Sequence, residues 1–213
     1  MSFPLPRLYP ILDAPILPFT GRAEFLRRLA EGLADAGVTL LEYRNKTGSN
    51  VEILADAAIL RTALPAGQVK LILDDRLDLV EQVGFDGVHV DSGDATPAEA
   101  RKRLGPDRVV GTFGGGEALV ERVLSEPADY FSIGMVYPST TKKPTKPPIG
   151  PEGVRRLREQ AGPSPTLVAV GGITLATAAD VLAAGASILA VSAAFFRQPD
   201  PAGEFRRWMA ELA

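Results

Sequence analysis

Short apolar runs alternate along the chain with longer segments whose apolar residues recur every three or four positions. The short runs fall at residues 8–12, 38–43, 69–73, 87–90, 109–112, 130–133, 166–170 and 188–191. Their length and β-branched content predict buried strands. The amphipathic segments fall at 23–36, 51–63, 78–83, 96–104, 117–124, 153–160, 175–184 and 202–212. In the first of these, Phe25, Leu26, Leu29, Leu33 and Ala36 share helical spacing, and Gly37 supplies the stop. Thr96-Pro97 is a helix start, with Thr at the cap and Pro at the first helical position. Gly105 and Gly185 mark two further stops.

Each strand is followed by a helix, which predicts a parallel sheet with crossover connections. Eight such units in 213 residues predict one domain, residues 1–213, folded as a closed (β/α)8 TIM barrel. An open doubly wound sheet would usually carry fewer units. The Pro- and Lys-rich stretch 138–151 lies between the sixth strand and its helix, so it reads as a long active-site loop and not as a linker.

Composition narrows the function classes. With 46% hydrophobic and 23% charged residues a packed core is feasible. A net charge of −3 argues against a general basic field for nucleic acid, while leaving room for a local basic pocket. The absence of cysteine excludes disulfides, thiolate metal sites and a cysteine nucleophile, and the single histidine, His89, excludes multi-histidine zinc sites. Residues 1–10 lack a signal-peptide pattern, and no apolar run is long enough to span a bilayer, so a cytoplasmic protein with no membrane partner is expected. Oligomeric state is not legible; a homodimer is one option.

In a barrel, chemistry gathers at the C-terminal ends of the strands. After strand two, Leu40, Glu42, Arg44 and Lys46 share one face. Three ionisable groups there read as a polar wall with two cations for a phosphorylated substrate, the plain alternative being an ion-paired rim. Strand three ends in Asp74-Asp75, and strand four is followed by Asp91 and Asp94. Acids brought to one rim could hold Mg²⁺ against a phosphate, although Asp also caps helices. His89 lies within its strand and reads as structural. The loop from Pro138 to Lys146 offers Lys142, Lys143 and Lys146 with Ser139, Thr140, Thr141 and Thr145, either a solvated basic loop or a clamp for a diphosphate. Gly171-Gly172 after strand seven and Val191-Ser192 at the end of strand eight suit a phosphate cradle made from backbone amides.

Several of these segments carry a family pattern. The run from Asp74 to Leu79, followed by Gly84-Phe85-Asp86-Gly87-Val88-His89-Val90, resembles the N-D-R-x-D-L and G-A-D-G-V-H-L motifs of the thiamine phosphate synthase family. Gly105-Pro106-Asp107-Arg108-Val109-Val110-Gly111 follows at the family's spacing, and the run from Gly134 to Lys143 resembles its G-P-V-F-P-T-x-T-K loop. Ala169 to Ile173 and Ala190 to Ala193 resemble its last two phosphate strands. The likeness covers nearly the whole chain in order.

The resemblance implies a transferase that joins hydroxymethylpyrimidine diphosphate to thiazole phosphate and releases diphosphate, with Mg²⁺ as cofactor. It implies that Arg44, Lys46 and Lys142 bind the diphosphate and that Asp75 and Asp94 hold Mg²⁺. Ser139 and Thr141 would contact the thiazole phosphate, with Gly171, Gly172, Val191 and Ser192 completing the cradle. Three places depart from the pattern around the expected pyrimidine and diphosphate. Glu42 stands for a glutamine, Asp74 for an asparagine, and Gly111-Thr112-Phe113-Gly114-Gly115 for G-V-S-T-H. A carboxylate at 42 would only accept hydrogen bonds, Asp74 adds negative charge and Phe113 adds bulk, so poor use of the ordinary pyrimidine is expected. The rival is a silent barrel that binds a phosphorylated metabolite. A thiazole tautomerase would want a histidine where Gly115 stands, and a Schiff-base aldolase a lysine in strand six, which has none.

Overall fold

The structure is a computed structural model that describes residues 4–91, 93, 95–116, 119, 121–139 and 147–213. Eight parallel strands close into a barrel in sequence order. They are β1 (Leu8–Asp13), β2 (Leu40–Arg44), β3 (Lys70–Asp74), β4 (Gly87–Val90), β5 (Val109–Gly115), β6 (Tyr130–Gly134), β7 (Leu167–Val170) and β8 (Ile188–Val191). Closure comes from β1 and β8, which pair Leu8 with Leu189, Tyr9 with Ala190 and Pro10 with Val191. Between the strands run α1 (Arg22–Asp35), α2 (Asn50–Ala63), α3 (Val80–Val83), α4 (Pro97–Leu104), α5 (Gly150–Ala161) and α6 (Leu175–Ala183), and after β8 come α7 (Ala193–Phe196) and α8 (Pro201–Glu211). None of the described helices is long and apolar enough to cross a membrane.

Strands covered on both sides must be apolar on both faces, which is why they read as short continuous runs. Their alternation builds two cores. Tyr9, Ile11, Leu40, Ile72, Val109, Tyr130, Val168, Ile188 and Ala190 fill the barrel itself. The residues of opposite parity, such as Leu12, Leu41, Leu73, Val88, Val110, Ile133, Leu167 and Leu189, pack outward against the helices. The inward parity carries on upward from the apolar layer. It delivers Asp13, Glu42, Asp74 and His89, all buried, towards the C-terminal mouth.

The expected start of α4 is present. Thr96 accepts from the Glu99 amide, the Glu99 carboxylate accepts from the Thr96 amide, and Pro97 occupies the first turn. Ser49 and Glu52 form the same reciprocal cap on α2. Two helices differ from expectation. Residues 78–83 give only the single turn Val80–Val83, because the whole β3-to-β4 connection is short and Gly84 ends the turn at φ 67°. The helix expected at 117–124 is replaced by a 3-10 segment, Glu121–Ser125, and residues 117, 118 and 120 lie outside the described chain. Strand β5 is longer than the run 109–112 expected for it. It runs on to Gly115 through a bulge after Phe113, and Leu119 bridges back to Gly115.

Gly111 is forced by packing. A Cβ there would lie 2.0 Å from a ring carbon of Tyr130, whose ring fills the barrel beside it. Gly111→Ala should destabilise the barrel by about 1–3 kcal/mol through overpacking, without changing its far-UV circular dichroism. Urea unfolding checks this; an unchanged midpoint would mean that the Tyr130 ring can move aside freely.

Candidate active site

The mouth is organised by β2 and the residues just after it. Glu42 and Arg44 point inward, Lys46 continues that face, and Tyr43 and Asn45 point outward. Arg44 donates to Asp13 of β1 at 2.6 Å and lies 3.5 Å from Asp74 of β3. Lys46 lies 3.0 Å from Asp74 and also pairs with Asp75. Three carboxylates on the flanking strands thus share two cations from β2. The ion-paired rim and the polar wall considered for this strand are the same cluster of atoms.

Asp75 ends this network in an unusual way. Its backbone is left-handed, φ 63°, a conformation that Asp tolerates better than most residues. Its amide donates to the His89 carbonyl at 2.7 Å. One carboxylate oxygen meets Lys46, while Oδ1 is buried with no hydrogen-bond partner.

Below the rim lies a floor of neutral polar groups. Glu42 is 3% exposed and accepts from the Tyr9 hydroxyl at 3.3 Å. Burial, with Asp74 close by, pushes its carboxyl up to about 8, against an ordinary value of 4.5. Glu42 is therefore protonated at neutral pH, which revises the expectation of a carboxylate that only accepts. His89 stacks on Tyr130, ring centres 5.6 Å apart, and its Nδ1 lies 3.1 Å from the Tyr130 hydroxyl. Burial lowers its pKa, so it stays neutral and structural, as expected. Phe113 shares the inward parity of Val109 and Gly111 and is half-buried at the mouth.

The turn after β7, where a phosphate cradle is expected, is built on two left-handed glycines. Gly171 and Gly172 have φ of 97° and 66°. A Cβ on Gly172 would come within 2.5 Å of the Pro138 carbonyl and 2.6 Å of that of Tyr137, so a side chain has no room there. The Tyr137 amide donates to the Gly171 carbonyl at 2.9 Å, tying the start of the β6–α5 loop to this turn. Ser192 Oγ is buried without a partner. Val191 differs from the others: its side chain faces the helix layer, leaving only its main chain available to a ligand. Because β8 pairs with β1, the cradle and the charged rim occupy one contiguous arc of strands, β7-β8-β1-β2-β3.

Asp94, Thr141 and Lys142 lie outside the described residues; Ser139 lies within them, half-buried at the start of the loop. Among the described residues no three acidic or imidazole groups converge as a metal site. Asp13 is the member of the rim that the sequence reading passed over. It ends an apolar run, and its parity with Tyr9 and Ile11 would have marked it as inward-facing.

Comparison with known proteins adds a chemical context. A family model described as thiamine monophosphate synthase matches residues 8–195. A thiamine-phosphate synthase of Koribacter versatilis is 40% identical over 195 residues, which cover 92% of this chain and 91% of that protein. One from Agrobacterium fabrum is 36% identical over 194 residues, covering 90% and 86%. Among solved structures, the thiamine phosphate pyrophosphorylase from Pyrococcus furiosus superposes with a TM-score of 0.77 at 25% identity, covering 97% of this chain and 95% of that one.

The state of Glu42 is open to a direct test. In the folded barrel it holds its proton up to about pH 8, whereas in the unfolded chain it releases it near 4.5. Between those values the folded state binds more protons, so the stability contributed by the neutral carboxyl falls as pH rises through the window. Glu42→Gln has no proton to lose. Its melting temperature should exceed the parent's by a margin that grows with pH across that window and then levels off. A margin independent of pH would show that Glu42 is ionised in the folded state.

Proposed function

Because the chain belongs to the thiamine monophosphate synthase family, we propose that it is a thiamine phosphate synthase, transferring hydroxymethylpyrimidine from its diphosphate to thiazole phosphate. The observation that carries this reading is the family match over nearly the whole barrel, whose charged mouth and glycine cradle suit two phosphorylated substrates. In the reaction the bond between the pyrimidine methylene and the diphosphate oxygen breaks. The electron pair leaves with diphosphate, and the thiazole nitrogen then forms the new bond to the methylene carbon. No protein nucleophile is required, which is consistent with a chain without cysteine.

The protein's task is then to bind, orient and neutralise charge. Arg44 and Lys46, which reach the mouth from β2, would meet the diphosphate, and the family motif adds Lys142 to them. Their charge-assisted hydrogen bonds to the departing group favour its release. The backbone of Gly171, Gly172, Val191 and Ser192 would hold the thiazole phosphate, with Ser139 and Thr141 approaching from the loop. The unpartnered Ser192 hydroxyl supports this assignment. Glu42, as a neutral acid, offers a donor and an acceptor much as an amide does, so the pyrimidine need not be altered to be recognised. Asp74 and Phe113 would border the same ring.

Magnesium fits the residues present. Asp75 Oδ1 is a buried carboxylate oxygen without a partner, and Asp75 with Asp94 would give the one or two carboxylates with which Mg²⁺ is commonly held beside a phosphate. When bound there it would supply charge neutralisation to the diphosphate. Both substrates are phosphorylated and cross membranes poorly, so the reading takes the cytoplasm as the compartment.

The purified protein, given both precursors and Mg²⁺, is expected to form thiamine phosphate and diphosphate in equal amounts. Asp75→Ala should lower kcat/KM by about 100-fold or more, a loss of the size seen when a group that stabilises transition-state charge is removed, and should abolish Mg²⁺-dependent diphosphate binding. No product from the parent protein would overturn the assignment. Undiminished diphosphate binding by the variant would remove the metal site alone.

A further inference from the structure

Strand β2 has two faces, and only the inward one enters the chemistry described above. The outward face carries a second polar network. Tyr43 donates its hydroxyl to Asp56 in the middle of α2. Asp56 is 3% exposed and is also held by Arg22 at the start of α1, whose Nε lies 2.9 Å from Oδ1. Asn45 donates to the Tyr43 hydroxyl at 3.1 Å, and its own carbonyl accepts from the Gly48 amide at 2.8 Å. The chain turns so tightly over this amide that a Cβ on Gly48 would come within 2.3 Å of Asn45 Nδ2.

The location of the network gives it a purpose. The ladder to β3 ends at Tyr43, paired with Leu73, and the ladder to β1 ends at Arg44, paired with Asp13. Asn45 and Lys46 therefore lie beyond the sheet pairing that sets the direction of the residues before them. Asn45 supplies the missing restraint from its side chain. It pins the main chain to the outer wall, and alternation then turns Lys46 back over the mouth. Stability alone is a poor reason to bury Asp56 against a half-buried Arg22, because well-packed apolar residues serve that purpose as well or better.

We propose that Asn45, Tyr43 and Asp56 are positioning residues that fix the segment 44–46, so that Arg44 and Lys46 present their charges together to the diphosphate end of the substrate. The inference rests on the reading that these two cations bind diphosphate. It assigns to the outer network a role in affinity for one substrate and not for the other, since the thiazole phosphate would be held across the mouth by the β7 and β8 turns.

The test uses the full chain, with inorganic diphosphate plus Mg²⁺ as the calorimetric probe and steady-state KM values for both precursors. Asn45→Ala and Tyr43→Phe should each weaken diphosphate binding about tenfold, the order expected for misplacing a charge-assisted hydrogen bond, and raise the pyrimidine diphosphate KM in step. The thiazole phosphate KM should stay within about twofold, below the size of any single such contact. Lys46→Ala, measured alongside, separates the two claims. If it weakens diphosphate binding while Asn45→Ala and Tyr43→Phe do not, the positioning role is overturned and the binding reading stands. If Lys46→Ala binds like the parent, the binding reading fails and takes the proposal with it. Equal losses for both substrates, with a lower melting temperature, would overturn it as well, since they mark a general structural role. Tyr43→Phe keeps the ring that packs in the helix layer, so the test holds even if an Asp56 variant does not fold.

Discussion

A strand in a closed barrel has no solvent face, so the alternation of its side chains decides which residues meet the barrel interior and which meet the helices. In β2 this sends Leu40, Glu42 and Arg44 inward and Leu41 and Tyr43 outward. A slip of one residue would bury Arg44 under the helices and drive Tyr43 into the barrel. Every later feature of the mouth depends on this register. It brings Arg44 beside Asp13, carries Lys46 over Asp74 and Asp75, and leaves Tyr43 to reach Asp56.

The inward polar groups divide into neutral and charged sets. The buried groups Glu42, His89, Tyr9 and Tyr130 form one set. Burial shifts each of them towards its neutral form. The two cations, Arg44 and Lys46, are the part of the cluster that water still reaches. This division matters for Glu42. Arg44 and Lys46 are already engaged by Asp13, Asp74 and Asp75, so an ionised Glu42 would face Asp74 with little cationic compensation. The neutral acid resolves the conflict and restores a hydrogen-bond donor where the family pattern has an amide.

Most of the barrel was legible because it depends on local pattern. Buried parallel strands leave short apolar runs, and reciprocal caps such as Thr96 with Glu99 leave a signature three residues apart. The extension of β5 to Gly115 and the 3-10 segment at Glu121–Ser125 were not legible, because apolar spacing over so few residues fits a short helix equally well. In the site, Arg44, Lys46, Asp74 and Asp75 could be grouped from strand ends and alternation. Two things could not be. The protonation of Glu42 depends on Asp74, an interaction between neighbouring strands that only the fold creates. The outward network of Tyr43, Asn45, Asp56 and Arg22 joins one strand to two helices, and no spacing in the sequence announces it. Val191 could be placed only by parity: its side chain packs among the helices, so any contact with a ligand falls to its main chain.

The charge balance of the mouth bears on how such a site could accept diphosphate at all. Asp13, Asp74 and Asp75 carry three negative charges and Arg44 and Lys46 two positive ones, which leaves an excess of one negative charge. A multiply charged anion would be repelled by that sum, and the aspartates would compete with it for both cations. A divalent cation on the free oxygen of Asp75 would reverse the sign and relieve Asp75 of its need for Lys46. The ammonium group could then turn to the ligand without leaving a buried carboxylate unpaired, which is the costly alternative. On this argument the departure at Asp74 is compatible with the proposed function: it pairs with Arg44 and Lys46 at the mouth, and a bound metal would supply the positive charge that a diphosphate needs there.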